Sequence, residues 1–288
     1  MKKIATFVVA LCALLHAQAA ERRTVTADEL TAFFASTTYV VTTNDNIMLD
    51  AQLTNAAKLL WKATPFRVAG AAEFDQLKTD SKNSFLMITK VVEAKDKLKR
   101  PYLYLALLMG SPDAATSLDN MPEVAFIPLA TENSEGEISS TSMLEPMLLF
   151  VQKHAENQKE KSFGDRLMVS FQQRLQAYNY NQSQLKGKAI FINKNDVDSQ
   201  SEMTQAKAAA DSIFYFVDED NLDEVAKDRE ASAVIGFCVT PQGAEKGAYG
   251  YKMLMGADGT LYYYYYESRP RNFLFKKNDF DMIIKNAK

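Results

Sequence analysis

The sequence predicts an α+β, sandwich-like fold made of two similar α/β domains, each a mixed sheet packed by helices, joined by a helical hairpin. Three observations predict it. The 288-residue chain is 47% hydrophobic and 24% charged with only 11 glycines and 8 prolines, a globular composition that excludes collagen-like and disordered chains. A series of apolar blocks recurs in the same order in both halves. Between the halves lie two stripes of apolar residues at helical spacing.

The repeat is read from spacing. Phe66-Arg67-Val68, the turn Phe74, Leu77 and Asp80, and the run Phe85 to Ile88 recur 148 residues later as Phe214-Tyr215-Phe216, Leu222, Val225 and Asp228, and Ala233-Val234-Ile235. Leu107-Leu108-Met109-Gly110 matches Met253-Leu254-Met255-Gly256 at a shift of 146. Tyr39-Val40-Val41 before Asn44-Asp45-Asn46 matches Ala189-Ile190-Phe191 before Asn195-Asp196.

Each element follows from its period. Thr26 and Glu29 form a capping box for a short helix carrying Leu30, Phe33 and Phe34. Tyr39 to Thr43 alternates as a strand, and Asn44-Asp45-Asn46 caps a helix whose stripe is Leu49, Leu53, Ala56 and Leu60. Phe66 to Val68 is a strand and Ala72 to Lys78 a short helix. Phe85 to Val91, Tyr102 to Met109 and Val124 to Leu129 complete the first sheet. Ser142 with Glu145 reads as a second capping box, opening a helix with the stripe Leu144, Met147, Leu148 and Val151. His154 to Ser162 reads as a turn, and Leu167, Met168, Phe171, Leu175 and Tyr178 as the next stripe. In the second half Met203 to Ala210 is the first helix, and Met253 to Tyr266 a hairpin turned at Asp258-Gly259. Phe280 to Ile284 begins a final helix.

The first twenty residues, MKKIATFVVALCALLHAQAA, have a basic start, a short apolar core and an Ala17-Gln18-Ala19 cleavage pattern. They predict a signal peptide over 1–20, cut after Ala19 or Ala20, and export to the periplasm, the outer membrane or the exterior. Cys12 follows Leu11, not the small residue a lipid-attachment site wants, so simple cleavage is expected. The predicted domains are 21–140, a helical linker 141–185, and 186–288, and no later segment is apolar enough to span a bilayer.

Order of elements and spacing carry one resemblance. From Leu53 to Ile88 a long helix ends before Phe66-Arg67-Val68, followed by a short helix and an apolar strand. This stretch resembles the small envelope α/β domain at the amino terminus of the TolB translocation protein, shared by the curli-secretion protein CsgG. The strand at Phe85 lacks the Gly-Ala-Asp entry common there, and no propeller repeats follow. The resemblance implies an envelope interaction module without catalytic residues, and no functional residue carries over.

Most chemistry is removed by subtraction. The net charge of −3 gives no field for nucleic acid. Without the leader one cysteine, Cys238, and one histidine, His154, remain, which excludes an intrachain disulfide, a dithiol centre and a Cys/His zinc site. His154 borders an apolar stripe near a helix end and reads as structural. Cys238 lies in the strand run Ala233 to Val239 with no basic neighbour in sequence and reads as a small hydrophobe. Asn193, Asn195, Asp196 and Asp198 open like a calcium loop, but Asp198 and Thr204 stand where glycine and glutamate are needed, so helix capping is expected. Asp218, Glu219, Asp220, Asp223 and Glu224 fit the first turns of a helix. No catalytic residue, metal ligand or cofactor site is therefore expected.

One segment is unusual, Leu261 followed by Tyr262 to Tyr266. Strand alternation puts Tyr262, Tyr264 and Tyr266 on one face and Tyr263 and Tyr265 on the other. Either both faces are covered, tyrosine simply suiting a strand, or one face is a binding ribbon. The expected binding set is Tyr262, Tyr264 and Tyr266 with Arg269 and Arg271. The functional expectation is a non-enzymatic exported protein that binds an envelope protein, a glycan or another extracellular ligand. The alternative is a carboxylate-dependent hydrolase acting on envelope or dietary glycan, which two facing acids in a pocket would mark.

Overall fold

The computed structural model describes residues 16–18, 23–92, 96, 99–159, 170–241, 248–268 and 273–288. The expected cleavage site and the stripe residues Leu167 and Met168 lie outside these residues. The chain forms two mixed sheets of one topology, each with the order expected of an α+β fold with two similar sheet domains.

In the first sheet the order is β3(Phe66–Gly70), β2(Thr37–Thr42), β4(Asn83–Val92), β5(Pro101–Met109), β6(Glu123–Thr131). The strand β2 runs parallel to both neighbours, reached through α2(Ile47–Leu60) and α3(Ala71–Leu77), and β4, β5 and β6 form an antiparallel meander. A three-residue strand, β1(His16–Gln18), lies parallel to the far end of β4. The helix α1(Ala27–Ala35) begins with the predicted capping box of Thr26 and Glu29. Asn46 caps α2 through its side chain, and all four residues of the expected stripe are buried.

The second sheet repeats this order as β8(Phe214–Val217), β7(Ala189–Asn193), β9(Ala233–Val239), β10(Tyr249–Gly256), β11(Leu261–Ser268). Its helices are α6(Gln200–Ala210), α7(Glu219–Asp228) and α8(Lys277–Ala287). Hydrogen bonds fix which residues correspond. Asn83 N bonds Asp80 O as Ala233 N bonds Glu230 O, and Gly110 N bonds Asn83 O as Ala257 N bonds Ala233 O. Thr38 N bonds Pro65 O as Ile190 N bonds Ile213 O. Phe66 thus corresponds to Phe214, as the spacing predicts. The other matches slip: Tyr39 corresponds to Phe191 rather than Ala189, Phe85 to Ile235 rather than Ala233, and Leu108 rather than Met109 to Met255, because intervening turns differ in length.

Corresponding residues meet where the sheets pack. Tyr104 of β5 and its counterpart Tyr251 of β10 share a hydrogen bond of 2.8 Å between hydroxyls. Tyr102 OH donates to the carbonyl of its own counterpart, Tyr249, at 2.9 Å and accepts from the Tyr249 amide at 2.9 Å. The same surface of each unit therefore faces itself, as in a two-fold dimer interface held within one chain. Phe126 stacks on Tyr104 at 4.4 Å, and one continuous core joins Phe85, Leu108 and Phe126 to Ile235, Tyr251 and Met253. The opposite face of the second sheet buries Ile190, Ile192, Val234 and Leu254 in a separate core with Ala206 of α6 and Phe280 and Ile283 of α8.

The first connecting helix, α4(Leu144–Lys159), packs against α2 and β6 as well as joining the units. It corrects two local expectations. The turn expected from His154 is helix as far as Lys159, because Phe150, Val151, His154 and Ala155 continue a buried face. The capping box of Ser142 and Glu145 does not form: Ser142 donates to Glu219 of α7, and Glu145 takes a salt bridge from Arg229 at 2.8 Å. Both residues tie the start of α4 to the second unit. The second connecting segment is a short α5(Phe171–Gln176) running into a 3₁₀ turn through Gln184. There Asn179 donates to and accepts from the Tyr264 backbone, which closes the edge of β11 with a side-chain amide.

Gln152 of α4 ends α2. Its Oε1 accepts from the amides of Lys62 and Ala63 at 2.6 and 3.2 Å, and its Nε2 donates to Leu60 O at 3.1 Å. Gln152→Ala leaves these buried groups unmatched and should cost about 2 kcal/mol in urea unfolding. The only tryptophan, Trp61, caps the same helix, so its fluorescence reports the first unit. With a shared core, the tryptophan transition should shift together with far-ultraviolet circular dichroism. A fluorescence transition that moves alone would show the first unit unfolding independently.

Candidate functional site

Comparison of the two units locates the site, since one fold serves both and only one needs its departures. On the outer face of the first sheet, Ile88, Leu105 and Ile127 sit side by side on β4, β5 and β6. Their counterparts in the second sheet are Cys238, Lys252 and Tyr265. Three apolar side chains are replaced by a thiol, an ammonium group and a phenol.

These side chains lie at and beneath a cleft of about 510 Å³ between β10, β11 and α8. Its volume suits a small-molecule site. The floor is Lys252, only 2% exposed, whose Nζ donates to Asp279 Oδ2 at 2.8 Å. The ammonium also stands 4.8 Å from the Phe273 ring centroid and 5.8 Å from that of Phe275. Asp279 Oδ2 accepts from the Lys276 amide at 3.0 Å as well, so the carboxylate both starts α8 and neutralises Lys252. Tyr263, Tyr265 and Phe273 line one wall with nearly parallel rings, at centroid spacings of 6.5 and 5.7 Å. Glu267, Lys276 and Asn278 complete the rim.

The expected set Tyr262, Tyr264 and Tyr266 does not line this cleft. Tyr264 is fully buried toward the first sheet, opposite Met253, and Tyr266 is half-buried on that face. Tyr262 is buried in the outer core, separated from Tyr264 by a bulge in the β10–β11 ladder between Leu254 and Met255. Strict alternation fails at that bulge. The accessible ring is Tyr265, 39% exposed, with Tyr263 beside it. Arg269 and Arg271 lie outside the described residues. Burial pushes the Tyr263 and Tyr264 hydroxyls upward, so both are neutral phenols at physiological pH.

Behind the floor, the carboxylate of Asp196 accepts from the Cys238 amide at 3.1 Å, while Phe275 N donates to Asp196 O at 2.7 Å. The carboxylate pKa is pushed up to about 7, first by burial, with the Cys238 hydrogen bond opposing and Glu219 adding repulsion. Cys238 has a basic neighbour across the ladder, Lys252, that its sequence surroundings hide. Burial and Asp196 outweigh it and push the thiol upward, so it stays protonated.

The other candidates are structural. His154 is buried in α4, with Nδ1 2.8 Å from the Tyr178 hydroxyl and its ring near Phe150, so its role comes from packing rather than from a helix end. Burial pushes the Tyr178 hydroxyl up to about 12. Asn193 Oδ1 accepts from the Asn195 amide and Ser199 caps α6, which uses the calcium-like run as turn and cap. Of the acidic run, Glu219 accepts from Ser142, Ser140 and Asn193, and Asp218 pairs with Lys194 at 3.1 Å. Among the described residues no group of three or more His, Cys, Asp or Glu is placed to hold a metal, and no helix is long and apolar enough to cross a membrane.

The sequence carried one overlooked signal for the cleft: Lys252 is the single charge within the strand Tyr249–Gly256. Asp279 carries none, because an acid in the first turn of a helix is ordinary. Comparison of the chain with protein-family models, curated proteins and solved structures finds no match.

Proposed function

We propose that this is an exported, non-enzymatic binding protein whose second unit holds an envelope component or extracellular ligand in the cleft between β11 and α8. The observation that carries the reading is the replacement of Leu105 and Ile127 by a buried Lys252 and an exposed Tyr265 at corresponding positions of one fold. A buried ion pair is weak evidence for stability, and the first unit fills the corresponding place with Leu105, so the position of the pair under a cleft speaks for recognition. The cleft acid Asp279 is committed to Lys252 and to the start of α8, which favours binding over acid–base catalysis.

Retention of purified protein on envelope and extracellular glycan fractions tests this reading. Tyr265→Ser alters a ring that is 39% exposed, so folding should be unaffected. Retention should fall about tenfold, equivalent to losing roughly 1.4 kcal/mol of contact. Unchanged retention in the folded variant removes the cleft from consideration.

A further inference from the structure

We infer that the cleft takes a neutral sugar ring rather than an anionic or cationic ligand, an inference that rests on the binding reading above. Among the described residues, the charges lining the cleft cancel. Lys252 is neutralised by Asp279 at 2.8 Å, and Lys276 and Glu267 oppose each other in sign at the rim. A site built to select a charged ligand would leave one sign uncompensated and desolvated.

What remains is aromatic surface and neutral or mixed hydrogen-bonding capacity. Tyr263, Tyr265 and Phe273 offer three near-parallel rings, and the central one, Tyr265, is the most exposed. Among the described residues, the Tyr263 and Tyr265 hydroxyls and the Asn278 amide make no hydrogen bond within the protein. Ring C–H groups on one face and hydroxyls at the edge are what a pyranose presents, and they match an aromatic wall with an amide and phenols around it. The first unit again serves as the internal control. With Leu105 and Ile127 at the corresponding places it has neither the ring nor the polar floor.

Titration calorimetry of the full chain tests the inference with three probes: defined neutral gluco-, galacto- and manno-oligosaccharides, oligogalacturonate, and a short basic peptide. At least one neutral oligosaccharide should bind. Its affinity should change less than about twofold between roughly 50 and 500 mM salt, because no net charge is engaged. Tyr265→Ser should weaken it at least about tenfold. Tyr215→Ser, an exposed tyrosine on β8 away from the cleft, should leave it unchanged. Binding confined to oligogalacturonate or the peptide, a steep salt dependence, or no binding of any neutral oligosaccharide overturns the inference. If retention on envelope fractions nevertheless depends on Tyr265, the ligand class falls and the cleft stands. If nothing depends on Tyr265, both fall.

Discussion

Lys252→Leu should destabilise the protein by about 3 kcal/mol, and Asp279→Asn added to it should restore most of the loss. The lysine is 2% exposed and its ammonium is the ion-pair partner of Asp279, whose side chain is 12% exposed. Removing the cation leaves a largely desolvated carboxylate without its counter-ion, and breaking a buried pair from one side costs roughly 3–5 kcal/mol. The cation–π contacts with Phe273 and Phe275 are lost with it. Leucine is the appropriate replacement because Leu105 fills the corresponding place in the first unit. Asparagine at 279 removes the orphaned charge yet keeps an oxygen to accept from the Lys276 amide, so the start of α8 survives. Urea unfolding of the two single variants and the double variant closes the cycle. A Lys252→Leu protein as stable as the parent, or a double variant no better than the single one, would contradict the proposed energetics of the floor.

The cycle also shows how much of the site could be read from the sequence. Local pattern marks these elements in different ways: α2 by its helical stripe, Ala233 to Val239 by an apolar run of strand length, and the hairpin by its Asp258-Gly259 turn. Gly259 takes φ of +82°, the conformation such a turn requires of its glycine. Alternation failed at Tyr262 because a bulge inserts one residue, and nothing in a run of five tyrosines marks which of them is extra. Ser142 and Glu145 have the spacing of a capping box, yet tertiary partners on α7 and Arg229 claim both side chains. The meeting of β5 with β10 was equally hidden, since Tyr102 and Tyr104 look like ordinary strand residues until their counterparts Tyr249 and Tyr251 face them. Long-range pairing is what local pattern cannot encode, and the cleft is built from it: Lys252, Tyr265 and Asp279 lie on three different elements.

Asp196→Asn should flatten part of the pH dependence of stability and raise stability above neutral pH. The Asp196 carboxylate turns inward onto the Cys238 amide, and burial raises its pKa from the ordinary 3.8 to about 7. Between those values the folded protein keeps a proton that the unfolded chain has released. The contribution of this group is therefore fully present below about pH 4 and is lost as pH rises through about 7. At about 1.4 kcal/mol per pKa unit the full loss would be about 4.5 kcal/mol; the residue keeps some solvent contact, so roughly 2–4 kcal/mol is expected. Asparagine retains an oxygen for the Cys238 amide and carries no titrating charge. Near pH 4 the variant and the parent should have similar stability, and by pH 8 the variant should be the more stable by that amount. Glu219, which adds repulsion at Asp196, is present in both proteins, so the difference between their profiles isolates the one carboxylate. Residues 273–276, which contribute Phe273 and Lys276 to the cleft, are held by the same residue, because Phe275 N donates to Asp196 O. Urea unfolding at intervals from pH 4 to 8 gives both curves, and parallel profiles would show that Asp196 is already ionised in the folded protein at low pH.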